Sequence, residues 1–372
     1  MNDRQRALTL LRRIERDELF ASLVLHDETG FVRTLVLGVL RWRSRLDWTV
    51  TQFAQREIEP EIADVLRIGA YQILFMDVAK YAAVSETVTL APHRARGFVN
   101  AILRRVAKEK PEPEDLATRT AHPEWLIERW IEHYGAERAA AIADANQELS
   151  QPDVLSLRGG VPPDATPSTL VDGIFKVEGS TAQLDRDEFW PMDEGSAIIA
   201  AMARACGDDI LDLAAAPGGK TMYMTSRGAR VVSNDISITR LRPLRHAKVV
   251  SDGRKPPFAR QFDVVLLDAP CSATGTIRKN PELKWRLRDV TTHVPLQKEL
   301  LASAMQLARH AVVYSTCSLE PEENDEVVAD YDRDDAAKFV PHGAVRWVEN
   351  GVLRLTPESG ADGFTAFVLR KR

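Results

Sequence analysis

Cysteine is scarce in this 372-residue chain: there are three, no two of them spaced C-x-x-C, so neither a disulfide framework nor a paired-thiolate metal knuckle can be built. Its eight histidines stand singly, which removes the ligand spacing of a structural zinc site, and no metal is expected. Long apolar runs are missing too. None approaches the ~20 residues that cross a bilayer, and the start Met1-Asn2-Asp3-Arg4-Gln5-Arg6 lacks the apolar segment of a secretion signal. These absences predict a cytoplasmic protein with reduced thiols. An excess of basic charge is also absent. The formal net charge of -5 speaks against nucleic-acid binding over the whole surface. Its distribution is uneven, however. Residues 1–110 carry 18 Lys and Arg against 14 Asp and Glu, which leaves -9 for the rest. Most single arginines fit ordinary solvated helix faces. The clusters Arg41-Trp42-Arg43-Ser44-Arg45 and Arg104-Arg105 mark a candidate phosphate-facing surface.

What is present is enough apolar residue, 44%, to fill two or three cores. From Asp3 to about Lys110 the apolar positions recur at helical spacing, as in Ala7, Leu10, Leu11, Ile14 and in Val65, Ile68, Gly69, Gln72, Ile73 with Gln72 the one polar intruder, which predicts an all-α domain. The charged, proline-containing run Lys108 to Asp115 reads as a linker, placing the first domain at 1–115. A helical segment from His122 to about Glu148 and a Pro-, Gly- and Asp-rich stretch over 152–190 suggest a small α+β connecting subdomain, 116–192. Beyond Asp193 apolar runs alternate with helix-length segments. Strands are predicted at Asp209–Leu213, Arg230–Asn234, Lys248–Ser251, Phe262–Leu267, Ala311–Ser315, Val352–Leu355 and Thr365–Leu369, giving 193–372 a seven-stranded, mostly parallel, doubly wound sheet.

The segment Asp212 to Thr221 is a strand end running through Ala214-Ala215-Ala216-Pro217-Gly218-Gly219-Lys220 into a helix start. Small residues let backbone and ligand approach, and the helix start favours a carboxylate or phosphate. A phosphate-binding loop would need glycine where Ala214 stands, and G-x-G-x-x-G is missing, so neither ATP nor NAD is supported. Asp235 lies 23 positions after Asp212, near the usual spacing of an acid that takes ribose hydroxyls, and Asp252 follows the third strand on the same edge. A single such aspartate is more often a turn or helix cap. The ordered set points to a nucleoside without phosphates, S-adenosyl-L-methionine.

Two cysteines follow strands in a similar way: Cys271 in Asp268-Ala269-Pro270-Cys271-Ser272, and Cys317 in Ser315-Thr316-Cys317-Ser318. One cysteine after a strand is usually a small buried hydrophobe. Two, with small polar neighbours and an acid beside them, suggest one active site with two thiols. Carbon 5 of cytosine is a poor nucleophile, and a thiolate adding at carbon 6 makes it a reactive enamine carbon. A protonated Asp268 could then support ring nitrogen 3, and a second thiol, or water near it, could assist release. The run Arg278, Lys279, Lys284, Trp285, Arg286 reads as phosphate contact with one stacking aromatic, although Trp285 fits a core equally well. His246 and His310 receive no role.

The stretches Asp212 to Thr221, Asp268 to Gly275, Ile277 to Trp285 and Ser315 to Asn324 together resemble the NOL1/NOP2/Sun family of RNA cytosine-C5 methyltransferases, most of all its bacterial 16S ribosomal RNA methyltransferase B branch. Gly69 to Leu74, Ser85 to Val88, and Gly97 to Arg104 are similar to the NusB-like helical RNA-binding domain of that branch. His122 to Leu126 and Gly360 to Phe364 match as well. The resemblance implies a multidomain protein: a NusB-like domain, the connecting subdomain and a Rossmann-like methyltransferase domain. It implies Cys317 as the attacking thiol, Cys271 as the release partner, and Asp235, Asp252, Asp268 and the loop 214–220 as the lining of the cofactor and target-base site. It also implies 16S ribosomal RNA as substrate; transfer RNA or another ribosomal site, or a non-catalytic assembly role, are the alternatives. A monomer is expected. Two departures are plain: Met192-Asp193-Glu194-Gly195-Ser196 lacks the glutamine usual before the first strand, and Arg242-Pro243 predicts a truncated helix after Asp235.

Overall fold

The computed structural model describes residues 2–179, 181–244 and 246–371. It divides into two compact units, Met1–Glu148 with Asn280–Arg286, and Leu149–Lys279 with Leu287–Arg372.

The first unit is helical: α1 (Asp3–Arg16), α2 (Ala21–Leu25), α3 (Gly30–Thr51), α4 (Pro60–Phe75), α5 (Lys80–Leu90), α6 (Arg96–Glu109), α7 (Leu116–Arg119), α8 (Glu124–Tyr134) and α9 (Ala136–Ala145). Caps start several of these where the sequence supplies them. Asn2 accepts from the Gln5 N–H at 2.8 Å, and Pro60 opens α4, where its missing donor costs nothing. The predicted stripe of Ala7, Leu10, Leu11 and Ile14 is buried with Val65, Ile68 and Ile73 in one core. Gly135, at φ +80°, breaks the single helix expected over 122–148 into α8 and α9.

In this division α7 to α9 group with the helical unit, which runs past the expected boundary at 115 to Glu148. Arg45 reaches across to Glu112 and to the Arg119 carbonyl, so the proline-rich stretch lies against the helices. Trp130 is fully buried there as well.

The second unit opens with an antiparallel sheet of β1 (Asp153–Ser156), β2 (Ala165–Pro167), β3 (Ile174–Val177) and β4 (Phe189–Pro191), ordered β2-β3-β1-β4. The larger sheet follows. It is built from α10 (Glu194–Cys206), β5 (Asp209–Asp212), α11 (Gly219–Ser226), β6 (Arg230–Asp235), α12 (Ile238–Leu241), β7 (Lys248–Val250) and β8 (Phe262–Asp268). After α13 (Leu283–Arg286), which packs in the helical unit, come α14 (Val294–Leu307), β9 (Ala308–Thr316), β10 (Arg333–Asp334), β11 (Val348–Glu349), β12 (Val352–Leu355) and β13 (Phe364–Arg370). The order is β11-β12-β13-β9-β8-β5-β6-β7, with β10 beside β13. Strands β7, β6, β5, β8 and β9 run parallel, while β13 is antiparallel to β9. All seven predicted strands are in it, their ends moved by up to three residues, and the short β10 and β11 are additional.

Alternation along the strands decides which layer each residue joins. Ile210, Val264, Leu266 and Val313 pack on the α10 side, and Leu211, Val265, Leu267, Val312 and Tyr314 on the α14 side. Burying each such aliphatic chain contributes about 1.5–3 kcal/mol. Strand order reverses between β5 and its neighbours β6 and β8, which opens the ligand-binding crevice at the carboxyl ends of these strands. As Pro243 predicts, α12 is a single turn ending at Leu241.

Candidate active site

Sheet register brings the two cysteine loops together. Asp268 at the end of β8 pairs with Ser315 of β9, and the Ala269 N–H donates to the Ser315 carbonyl at 2.8 Å. Cys271 and Cys317, each half-buried, then lie with their sulfurs 3.4 Å apart.

Side chains stitch the loops. Ser272 Oγ is 3.1 Å from Ser318 Oγ, Thr274 Oγ1 accepts from the Leu319 N–H, and the Gly275 N–H donates to the Cys317 carbonyl at 2.9 Å. Asn324 fixes the turn that carries Cys317: its Nδ2 donates to the carbonyls of Ser318 and Glu320, and its Oδ1 accepts from Thr316. Gly275 is required where it stands, since an added Cβ would overlap the Gly363 carbonyl.

The electrostatics separate the two sulfurs. The neighbouring Cys317 sulfur, with burial second, pushes the Cys271 thiol well above the ordinary cysteine range. Close by, Lys220 Nζ donates to Asp268 Oδ2 at 2.6 Å, and Asp268 Oδ1 accepts from Ser315 Oγ at 2.8 Å. Burial works against the Lys220 charge, but Asp268 carries the ammonium above its usual value, and the ammonium also interacts with Cys317. Asp268 therefore sits between the Lys220 ammonium and the Ser315 hydroxyl, accepting from both.

The loop 214–220 is held by its neighbours at the same edge. Asn234 Nδ2 donates to the Leu213 carbonyl, and the Ala215 N–H donates to the Asn234 carbonyl. Asp235 is 7% exposed; one oxygen accepts from the Ala216 N–H at 3.0 Å and the other from the Ser237 N–H at 2.9 Å, so each keeps acceptor capacity for a hydroxyl. Gly218 has φ +107°, and a Cβ there would run into Leu244. Ile236 and Ile238, exposed beside Asp235, offer apolar surface. A narrow backbone cradle, a fixed carboxylate and adjacent apolar surface fit a nucleoside with free hydroxyls. Asp252 is placed differently. It is 38% exposed and held at about 2 by hydrogen bonds from Arg254, which engages both its oxygens. Among the described residues no group of three His, Cys, Asp or Glu is arranged to hold a metal, and no helix is long and apolar enough to cross a membrane.

Three of the five expected RNA contacts point inward. Arg278 is 5% exposed and donates to the Gly360 carbonyl, and Lys279 lies among Asp193, Asp362 and Asp153. Lys284 is buried in the helical unit, its Nζ donating to the Arg41 carbonyl at 2.7 Å. Trp285 Nε1 donates to the Leu40 carbonyl, so this aromatic is structural. Of the Arg41–Arg45 cluster, Arg41 is buried, Arg43 pairs with Glu15 and Arg45 with Glu112. Lys279 keeps its charge among carboxylates, whereas burial, and after it Arg41, pushes Lys284 well below the ordinary lysine value. Arg104 and Arg105 are exposed on α6, with Arg105 paired to Glu109. Sequence reasoning missed Glu323, Gln297 and Asp212. Glu323, fully buried, accepts from the Ser272 N–H and Oγ, and the signal was a pair of acids shortly after Cys317. Asp212 is buried, accepts from Thr221 Oγ1 and is raised by burial to about 6.

The fold and this site define a methyltransferase whose methyl donor is S-adenosyl-L-methionine. Comparison with known proteins agrees. The model of the family described as 16S rRNA methyltransferase RsmB/F matches residues 199–369, and that of the NusB family matches residues 1–108. Ribosomal RNA small subunit methyltransferase B of Pectobacterium carotovorum is 30% identical over 394 residues, spanning 92% of this chain and 90% of that protein. The probable ribosomal RNA small subunit methyltransferase B of Bacillus subtilis is 28% identical across 98% of both. The chain belongs to the 16S rRNA methyltransferase RsmB/F family. Among solved structures, that of PH0851 shares the fold with a TM-score of 0.74 at 22% identity, covering 100% of this chain and 99% of that one. NSun6 from Pyrococcus horikoshii gives 0.56 at 19% identity, over 67% of this chain and 98% of that one.

Proposed function

We propose that this protein, a cytoplasmic monomer, methylates carbon 5 of a cytosine in small-subunit ribosomal RNA through a covalent cysteine-cytosine adduct. The observation that carries the chemistry is the pair of sulfurs 3.4 Å apart beside the Lys220–Asp268 ion pair. The names of the relatives carry the substrate.

S-adenosyl-L-methionine supplies an electrophilic methyl group. Cys317, next to the Lys220 cation, adds as a thiolate to carbon 6, and the electrons of the 5,6 double bond become available at carbon 5. Lys220 and Asp268 hold the base edge, Lys220 donating where negative charge develops on the ring. After methylation, loss of the carbon-5 proton to water re-forms the double bond and expels the Cys317 sulfur. Cys271, kept protonated by its surroundings, donates its hydrogen bond to that departing sulfur. Asp235 and the loop 214–220 hold the cofactor; Asp252, bound to Arg254, has at most a peripheral part. Exposed Arg104 and Arg105 on α6 are the remaining candidates for phosphate contact from the helical domain.

Purified protein, labelled cofactor and unmodified small-subunit RNA or transfer RNA test the substrate. Label in the small-subunit RNA alone is expected, with bisulfite sequencing of RNA from a deletion strain showing one lost 5-methylcytosine. Label confined to transfer RNA would overturn the substrate assignment, and label in neither would favour a binding role.

A further inference from the structure

The wall behind Cys271 contains a carboxylate that touches no surface. Glu323 is fully buried, and its two oxygens accept from the Ser272 N–H at 2.8 and 3.1 Å, from Ser272 Oγ at 2.5 Å and from Gln297 Nε2 at 3.2 Å. The same Gln297 amide donates to the Pro270 carbonyl at 2.8 Å. Residues on both sides of Cys271 are thus tied to one carboxylate, directly at Ser272 and through Gln297 at Pro270. Tyr314 of β9 completes the clamp, its hydroxyl donating to the Glu323 carbonyl at 2.6 Å. A loop anchored on both flanks loses the freedom that an exposed four-residue turn would have. Donors from Ser272 and Gln297 thus converge on this one buried side chain.

We propose that Glu323 is a positioning residue for product release: it fixes the Pro270-Cys271-Ser272 backbone from both flanks and so holds the Cys271 thiol in place beside Cys317. The inference rests on the two-thiol reading and adds to it the group that holds the release partner.

The charged and titratable groups around Cys271 are few. Cys317 is the largest influence on it, burial the next, and Glu323 acts in the same direction, against a weaker opposing bond from the Ala273 backbone. Tyr314 is itself raised by burial first and then by Cys271, Glu323 and Asp268, so it stays a neutral donor. Lys220 is engaged by Asp268 and acts on Cys317. Glu323 thus stands behind Cys271, and Lys220 beside Cys317.

The test has two parts. In a Cys206→Ser/Cys317→Ala background, where Cys271 is the remaining thiol, the rate of alkylation by iodoacetamide is followed against pH with Glu323 and with Glu323→Gln. Putting an amide in place of one accepting oxygen should loosen the loop and let Cys271 react several-fold faster. With all three cysteines present, Glu323→Gln should accumulate a protein-RNA adduct on denaturing gels, as Cys271→Ala does. Gln297→Met, which loosens the Pro270 side but keeps the carboxylate, should likewise accumulate adduct; it also keeps the proposal testable if Glu323→Gln does not fold. An unchanged alkylation rate in Glu323→Gln, or no adduct in Gln297→Met while Cys271→Ala does trap one, overturns the role of Glu323 and leaves the two-thiol reading standing. A raised rate with no adduct in Cys271→Ala supports the hold of Glu323 on Cys271 and overturns the two-thiol reading instead.

Discussion

Replacing Lys279 by methionine removes the cation nearest Asp193 and Asp362 from a buried carboxylate cluster that Lys176 and Arg278 flank at 3.8 and 3.9 Å, and the structure gives both the size and the pH dependence of the effect. The Lys279 ammonium pairs with Asp193 and lies 3.2 Å from Asp362 and 3.7 Å from Asp153, with its side chain 26% exposed. Burial opposes its charge, but the three carboxylates carry it above the ordinary lysine value. Each acid responds in its own way. Burial would raise Asp193, yet Lys279 holds it at about 2, whereas burial, reinforced by Asp193, lifts Asp362 to about 7 and Asp153 to about 6. Asp193 therefore contributes stability that is present above its unfolded value near 4 and lost as pH falls toward 2. Asp362 and Asp153 bind protons more tightly folded than unfolded, so their contribution is present below pH ~4 and lost as pH rises toward 7. Breaking a buried pair from one side costs about 3–5 kcal/mol. In a unit of this size that lowers the melting temperature by about 6–20 °C. Lys279→Met should show this loss at pH 8, where all three acids are charged, and a clearly smaller one at pH 5, where Asp362 and Asp153 take up protons. Thermal melts of wild type and variant at the two pH values decide it. A pH-independent change under about 1 kcal/mol, together with weakened RNA binding, would refute the reasoning and restore Lys279 to the RNA-facing role suggested by composition.

Two further substitutions probe the cradle and the loops. Asp235→Asn puts an amide where two backbone N–H groups point, and should weaken binding of the cofactor product S-adenosylhomocysteine about 10- to 100-fold by calorimetry; unchanged affinity would remove Asp235 from the cofactor site. Gly275→Ala forces apart the Gly275 and Gly363 backbones, whose contact includes the Gly363 N–H to Gly275 carbonyl bond of 2.8 Å. It should cost about 1–3 kcal/mol in urea unfolding and depress methyl transfer, and wild-type behaviour in both would show that the loops do not need this close approach.

Much of the sheet was legible because its strands are continuous apolar runs bounded by Gly, Pro and Asp, and such runs have few alternatives in a buried parallel layer. The two cysteines were legible as strand-end residues. Their 3.4 Å separation was not, since it depends on β8 and β9 being neighbours in register. Charge was the poorest guide. Arg278, Lys279 and Lys284 carry the composition of a phosphate-binding stretch, yet each meets a partner far away in sequence: Gly360, the acids 153, 193 and 362, and Arg41. The grouping of α7 to α9 with the helical unit was illegible for a similar reason, because the Arg45 contacts that hold the stretch near Glu112 leave no local signal. Glu323 escaped notice as one acid in an acidic turn until its donors were seen.

The central claim is that Cys317 attacks and Cys271 releases, and trapping of the covalent complex tests it most directly. Cys317→Ala, Cys271→Ala and wild type are incubated with cofactor and unmodified small-subunit RNA and resolved on denaturing gels. A stable protein-RNA adduct is expected for Cys271→Ala, and neither adduct nor methylation for Cys317→Ala. An adduct in Cys317→Ala but not in Cys271→Ala would contradict it and exchange the roles of the two thiols.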